Sequence, residues 1–202
     1  MKKKNKLSNK TIYLKNFNTK KSSRLSKKFE KIYLNLINET QDEKKTLNIL
    51  SNKFKFNFNI NQLYKFKKFK TLAIIGMGGS ILGAEAIHNF FETKIKKKVY
   101  FFNNLNENQI KNFKKKENSS KVLFIIISKS GNTIETLSNT FSLNIIKKNS
   151  KNIIVISEKK NNLLFTLSKN LKLFFIEHKS YIGGRYSVLS EVGIIPAYLM
   201  GI

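Results

Sequence analysis

The chain of 202 residues contains no cysteine, no tryptophan and a single proline, Pro196. Without cysteine there can be no disulfide and no thiolate metal site. The only histidines are His88 and His178, which argues against a histidine-based metal cluster. No apolar run approaches the roughly 18 residues that a membrane span requires. The amino terminus is rich in Lys and Asn and has no apolar core, so it does not read as a secretory signal. The default expectation is a cytoplasmic protein with no membrane partner.

Acidic residues are scarce: 12 Asp and Glu stand against 39 Lys and Arg, a formal net charge of +27. Such a balance can indicate a nucleic-acid binder. Two features favour a plainer origin. Only Arg24 and Arg185 are arginines, and Lys, Asn, Ile and Phe, all with AT-rich codons, are abundant. The basic residues are also spread along the whole chain and form no stripe. The charge therefore reads as codon bias, and no nucleic-acid partner is expected.

The length and the 41% hydrophobic content suit one α/β domain with some helical decoration. Residues 1–66 are expected to form a helical extension. In it, Phe29, Ile32, Leu34 and Ile37 lie near helical spacing, as do Leu47 and Leu50. This stretch reads as an amphipathic element that packs on the domain or on a partner subunit, with Lys2–Lys4 frayed at its start. Residues 67–202 are expected to form the domain. Short apolar runs at Leu72–Ile75, Val99–Phe102, Val122–Ile127, Ile153–Ile156 and Leu173–Ile176 read as strands. Helical stretches are expected at Ser80–Phe91, Ile134–Lys147 and Leu163–Leu171. Fully apolar strands alternating with helices predict a doubly wound parallel sheet in a three-layer αβα arrangement.

Three segments carry chemistry. The first, Gly76-Met77-Gly78-Gly79-Ser80, follows a strand and opens a helix. Glycines there let the backbone approach a ligand, and a helix amino terminus favours an anion. Ser80 could cap the helix or donate its hydroxyl. A dinucleotide reading is weak, because the pattern is not GxGxxG and no acidic residue ends the next strand. The second segment, Ser128-Lys129-Ser130-Gly131-Asn132-Thr133, also follows a buried strand. Its hydroxyls and backbone N–H groups around a glycine suit a phosphate monoester. Lys129 either adds charge or points away. The third, Gly183-Gly184-Arg185-Tyr186-Ser187, holds one of the two arginines in a chain where an idle arginine would readily drift to lysine.

Together GMGGS, SKSGNTIET and GGRYSVLSEVG, in that order, resemble the sugar-isomerase (SIS) domain of the glucose-6-phosphate isomerase family over residues 70–202. The resemblance implies a flavodoxin-like domain, paired with a second one in the complete enzyme, and a homodimer at full length. It implies the interconversion of glucose 6-phosphate and fructose 6-phosphate, a step of glycolysis and gluconeogenesis, through an enediol(ate) and without a cofactor. By resemblance Gly79 and Ser80 line the substrate site, Ser128, Lys129, Ser130 and Thr133 hold the phosphate, and Arg185 stabilises the enediolate. The family's glutamate base and its ring-opening His and Lys belong to motifs further downstream. An apolar helical stretch without a polar cap is expected at Ile194–Ile202. The expectation is accordingly an amino-terminal fragment that binds sugar phosphate but is inactive alone. Glu135, Glu191 and His178 lie near the motifs but read as helix-start or surface residues. His88 reads as a packed or surface residue. The rival reading is a stand-alone sugar-phosphate-binding regulatory module.

Overall fold

The computed structural model describes residues 19–202, so the expected fraying of Lys2–Lys4 lies outside the described residues. Five strands, β1 (Thr71–Gly76), β2 (Lys98–Phe102), β3 (Val122–Ile127), β4 (Ile153–Ser157) and β5 (Phe174–Glu177), form one sheet. Every pairing is parallel, and the order is β2-β1-β3-β4-β5. β3 is buried along its whole length, as a run of Val, Leu, Phe and Ile in the middle of a two-sided sheet must be.

Successive side chains on a strand face opposite ways, so the sheet divides its apolar residues between two cores. Leu72, Ile74, Ile125 and Ile127 face one side. There they meet α2 (Ile60–Tyr64) through Leu63, α3 (Leu82–Phe90) through Ala84, and α7 (Glu191–Met200) through Val192, Ile195 and Leu199. Ala73, Ile75, Phe124 and Ile126 face the other side. They meet Phe113 of α4 (Glu107–Lys116) and Leu164 of α6 (Leu163–Asn170). Leu143, just past α5 (Ile134–Ser142), closes that core. The result is the expected three-layer αβα fold. The long helix α1 (Thr19–Gln41) precedes it and leaves Leu25, Phe29, Ile32 and Leu36 exposed. No helix of the described residues is long and apolar enough to cross a membrane.

Four local expectations need correction. α5 stops at Ser142, well short of Lys147, because Asn144 takes a left-handed φ of 52° that ends the helix. α7 begins at Glu191, earlier than the apolar pattern indicates. Ser190 caps its start by accepting from the Val192 N–H, and Gly201 (φ 103°) caps its end, so the stretch at Ile194–Ile202 is not an uncapped helix. Ser80 does not cap α3; it closes a 3₁₀ turn, Gly78–Ser80, and Ile81 occupies the N-cap position without a side-chain bond. His178 is buried, neither a helix-start nor a surface residue; Glu191 does start α7, but it too is buried.

Candidate functional site

The sheet order places β1 and β3 side by side while their crossovers run in opposite directions, to β2 on one side and β4 on the other. In an open parallel sheet this switch point leaves a crevice at the carboxyl edge. Gly76 ends β1 opposite Ile127, which ends β3. The first two motifs therefore leave the sheet next to each other.

The loop after β3 gathers its hydroxyls. Ser128 Oγ lies 2.9 Å from Thr133 Oγ1 and 3.4 Å from Ser130 Oγ, and the Ser130 and Thr133 oxygens are 3.3 Å apart. The Gly131 N–H donates to Ser128 Oγ at 3.1 Å, and the Asn132 N–H donates to Ser130 Oγ at 3.3 Å. Three hydroxyls so close bring three O–H donors to one point. An anion with several acceptor oxygens would take those protons. Thr133 is also the N-cap residue of α5, yet its hydroxyl does not cap the helix. First-turn N–H groups and the positive end of the helix dipole consequently stay available beside the hydroxyls.

This loop is clamped from below by α6. Asn162 is buried and caps α6 by accepting from the Phe165 N–H at 2.9 Å, while its own amide donates to the Glu158 carbonyl at 2.9 Å. Gly131 has φ 70°, and a Cβ there would overlap the Asn162 side-chain amide. Asn132 Oδ1 accepts from the Leu163 N–H, and the Gly131 carbonyl accepts from the Leu164 N–H. Sequence reasoning missed Asn132 and Asn162. An Asn directly before the apolar Leu163-Leu164-Phe165 was the available signal, since it is the usual helix-start pattern.

The first loop folds back over the sheet edge. A Cβ on Gly76 would lie 3.1 Å from the Ile127 carbonyl and 3.3 Å from Ser80 Cβ, so Ser80 sits over the junction of the two strand ends. Its hydroxyl makes no hydrogen bond among the described residues and is partly exposed. Gly79 packs directly on the third motif: a Cβ there would overlap the Gly184 carbonyl and crowd the Arg185 N–H. Ser187 Oγ ties the turn to that loop, donating to the Gly184 carbonyl at 2.6 Å with the Gly79 carbonyl at 3.3 Å.

Arg185 and Lys129 are placed very differently. Arg185 lies in the 3₁₀ turn Gly184–Tyr186, is exposed, and has no carboxylate within ion-pair distance among the described residues. The Lys129 ammonium instead donates to the Ser180 carbonyl at 2.7 Å and lies 3.5 Å from Glu158. Its side chain is thus drawn away from the hydroxyl cluster, although its backbone belongs to that loop. Burial tends to raise the Glu158 carboxyl, but Lys160 and Lys129 outweigh that and hold it below the usual carboxylate range. Burial pushes His178 down, against a hydrogen bond between its Nδ1 and the Lys179 carbonyl.

Glu191 is fully buried, with Oε1 accepting from the Asn57 N–H at 2.7 Å and Oε2 without a partner. Glu135 lies in the first turn of α5 and is half-buried. His88, on α3, sits edge-on to Phe101. No group of three His, Asp or Glu able to hold a metal occurs among the described residues. Two hollows of about 810 and 820 Å³ lie at the opposite edge of the sheet, where Lys68 and Lys151 line both. Neither includes a residue of the three motifs. In open α/β sheets ligands bind outside the carboxyl ends of the strands, which favours the crevice at the three motifs.

Comparison with known proteins bears on the family and the fold. The family model described as phosphoglucose isomerase matches residues 33–202. The glucose-6-phosphate isomerase of Borreliella burgdorferi (strain ZS7) is 38% identical over 140 residues, covering 63% of this chain and 26% of the relative. The chain thus spans about a quarter of the length of that relative. Among solved structures, a hypothetical protein from Thermus thermophilus superposes with a TM-score of 0.69 at 21% identity, covering 89% of this chain and 45% of the other. A glucose-6-phosphate isomerase from Chlamydia trachomatis superposes with a TM-score of 0.59 at 23% identity, covering 69% of this chain and 28% of the other. These two likenesses establish the fold.

Proposed function

The chain belongs to the phosphoglucose isomerase family, and from that membership we propose that it supplies the phosphate-holding part of a glucose-6-phosphate isomerase. The reaction interconverts glucose 6-phosphate and fructose 6-phosphate by moving a proton between the first two carbons through an enediol(ate). The observation that carries the reading is the cluster of Ser128, Ser130 and Thr133 hydroxyls at the switch point of the sheet.

In this reading the three hydroxyls and the adjoining backbone N–H groups donate to the phosphate. Lys129 enters through its backbone, because its ammonium is engaged by Ser180. Ser80 and the Gly79 backbone line the sugar side. Arg185, without an ion-pair partner among the described residues and permanently charged, meets the negative charge that develops as the enediolate forms; a guanidinium cannot act as a base but can stabilise an oxyanion. Proton transfer needs a base within hydrogen-bond reach of the substrate carbon. Glu191 accepts from the Asn57 N–H with one oxygen and His178 bonds the Lys179 carbonyl, and we assign to this chain binding and charge stabilisation. On family membership alone we also assign the complete enzyme to the cytoplasm and to a homodimer.

Calorimetric titration with glucose 6-phosphate tests the reading. Ser130→Ala and Thr133→Ala should each weaken binding by about 1.5–3 kcal/mol, the range for a hydrogen bond to a charged group. Unchanged affinity in both variants would refute the phosphate-loop assignment.

A further inference from the structure

We propose that Lys129 is a positioning residue whose side chain tethers the Arg185 loop to the phosphate loop, rather than binding the phosphate. The proposal rests on the binding reading above and assigns a different task to one of its residues. Residue 129 is anchored at its backbone: its carbonyl accepts from the Glu158 N–H at 3.1 Å, which joins the loop after β3 to the end of β4. From there the side chain crosses to the segment after β5 and donates to Ser180, 51 residues further along the chain. β4 lies between β3 and β5, so the tether passes over a full strand. With parallel neighbours about 4.8 Å apart, the gap is about 10 Å. A long, charged side chain suits that span, and a shorter one would fall short.

The segment that Lys129 grips is the one that carries Arg185. At its far end the segment is fixed by Ser187, which bonds the Gly79 and Gly184 carbonyls. At its near end the His178 N–H donates to the Ser157 carbonyl at 2.8 Å and Asn57 bonds both the Glu177 carbonyl and the Lys179 ammonium, and beyond these Lys129 donates to the Ser180 carbonyl at 2.7 Å and Thr46 Oγ1 to the Tyr181 carbonyl at 2.9 Å. Among these anchors only Lys129 is itself part of the hydroxyl loop. It therefore sets the distance between the bound phosphate and the guanidinium. Glu158, 3.5 Å away, keeps the ammonium over β4 and steadies the bridge. Because Thr46 remains when Lys129 is removed, the loop should loosen without detaching, and the effect should be partial.

The test compares two ligands on the intact chain. Inorganic phosphate fills the hydroxyl loop alone. 6-Phosphogluconate adds a carboxylate at the far end of the sugar, where Arg185 is expected to act. Calorimetry on the wild type, Lys129→Met and Lys129→Arg should give phosphate affinities within about twofold of one another. Affinity for 6-phosphogluconate should fall about tenfold in Lys129→Met, within the range for losing one coupling contact, and largely recover in Lys129→Arg. An equal loss for both ligands would make Lys129 a phosphate ligand and overturn the proposal, as would no loss for either.

Backbone hydrogen exchange in the absence of ligand gives a second readout. Residues 178–190 should exchange faster in Lys129→Met and return to wild-type rates in Lys129→Arg, and unchanged exchange overturns the tether. If the wild type bound neither probe, the function reading would fail while the exchange result still judged the tether.

Discussion

Gly131→Ala is the sharpest test of how the hydroxyl loop is held. Two penalties combine at this position. The backbone sits at φ 70°, where an L-residue with a Cβ is strained by about 1–2 kcal/mol. The new methyl would also overlap the Asn162 side chain, which is buried at 4% exposure and has no open space to enter. Displacing Asn162 removes the cap of α6 and its bond to the Glu158 carbonyl; a lost cap alone costs about 0.5–2 kcal/mol. The expected total is about 1.5–4 kcal/mol.

Gly78→Ala is the matched control. Gly78 has φ 53°, but nothing lies within 4 Å of a Cβ there, so only the strain of about 1–2 kcal/mol remains. Urea unfolding followed by circular dichroism measures both. Gly131→Ala should lower the midpoint more, and on an Asn162→Ala background its extra cost should vanish, because the clash partner is gone. Equal losses for the two glycine variants, or full additivity with Asn162→Ala, would show that Asn162 does not brace the loop.

Two further outcomes follow from the same geometry. Gly79→Ala forces the Gly184 carbonyl and the Arg185 N–H away without touching the hydroxyls, so calorimetry should show weaker 6-phosphogluconate binding and unaltered phosphate binding; a parallel fall in both would mean that the two loops do not act separately. Burial holds His178 below its ordinary value of 6.5, so on acidification the unfolded chain protonates first, and stability present above about pH 6.5 is lost as the pH falls toward the folded value. The urea midpoint should therefore drop as the pH is lowered through the ordinary value of 6.5, and His178→Asn should flatten that drop; an unaltered slope in the variant would assign the pH response elsewhere.

The strands were legible because burial on both faces leaves little choice of residue. β3 coincides with the expected Val122–Ile127, and β1, β2, β4 and β5 lie within a residue or so of their apolar runs. α4 escaped notice. Its polar face is Lys, Asn and Gln in a chain already full of them, and only Phe113 is buried, so no apolar period stands out. The hydroxyls of the second motif could be read from composition, as could the glycines that bring Gly79 against Gly184. The direction of the Lys129 side chain could not. It depends on a backbone carbonyl far along the chain, and a carbonyl carries no residue-specific signal.

The third motif needs a separate explanation, because β5 lies at the far edge of the sheet from β1. The chain after β5 must cross back over the sheet edge to reach Gly79. Its crossing is fixed by the packing of α7 on α3, not by strand order. A Cβ on Gly83 of α3 would come within 2.9 Å of the Val188 side chain, and one on Gly193 of α7 would overlap the Val188 carbonyl. These two glycines let Val188 settle between the helices and draw the Arg185 turn inward. The hydroxyl loop takes its support from α6 on the opposite face of the sheet. The proposed phosphate grip and the proposed oxyanion stabiliser therefore stand on different layers of the fold. Damage to one layer need not reach the other, and the Lys129–Ser180 bond is one link through which it could.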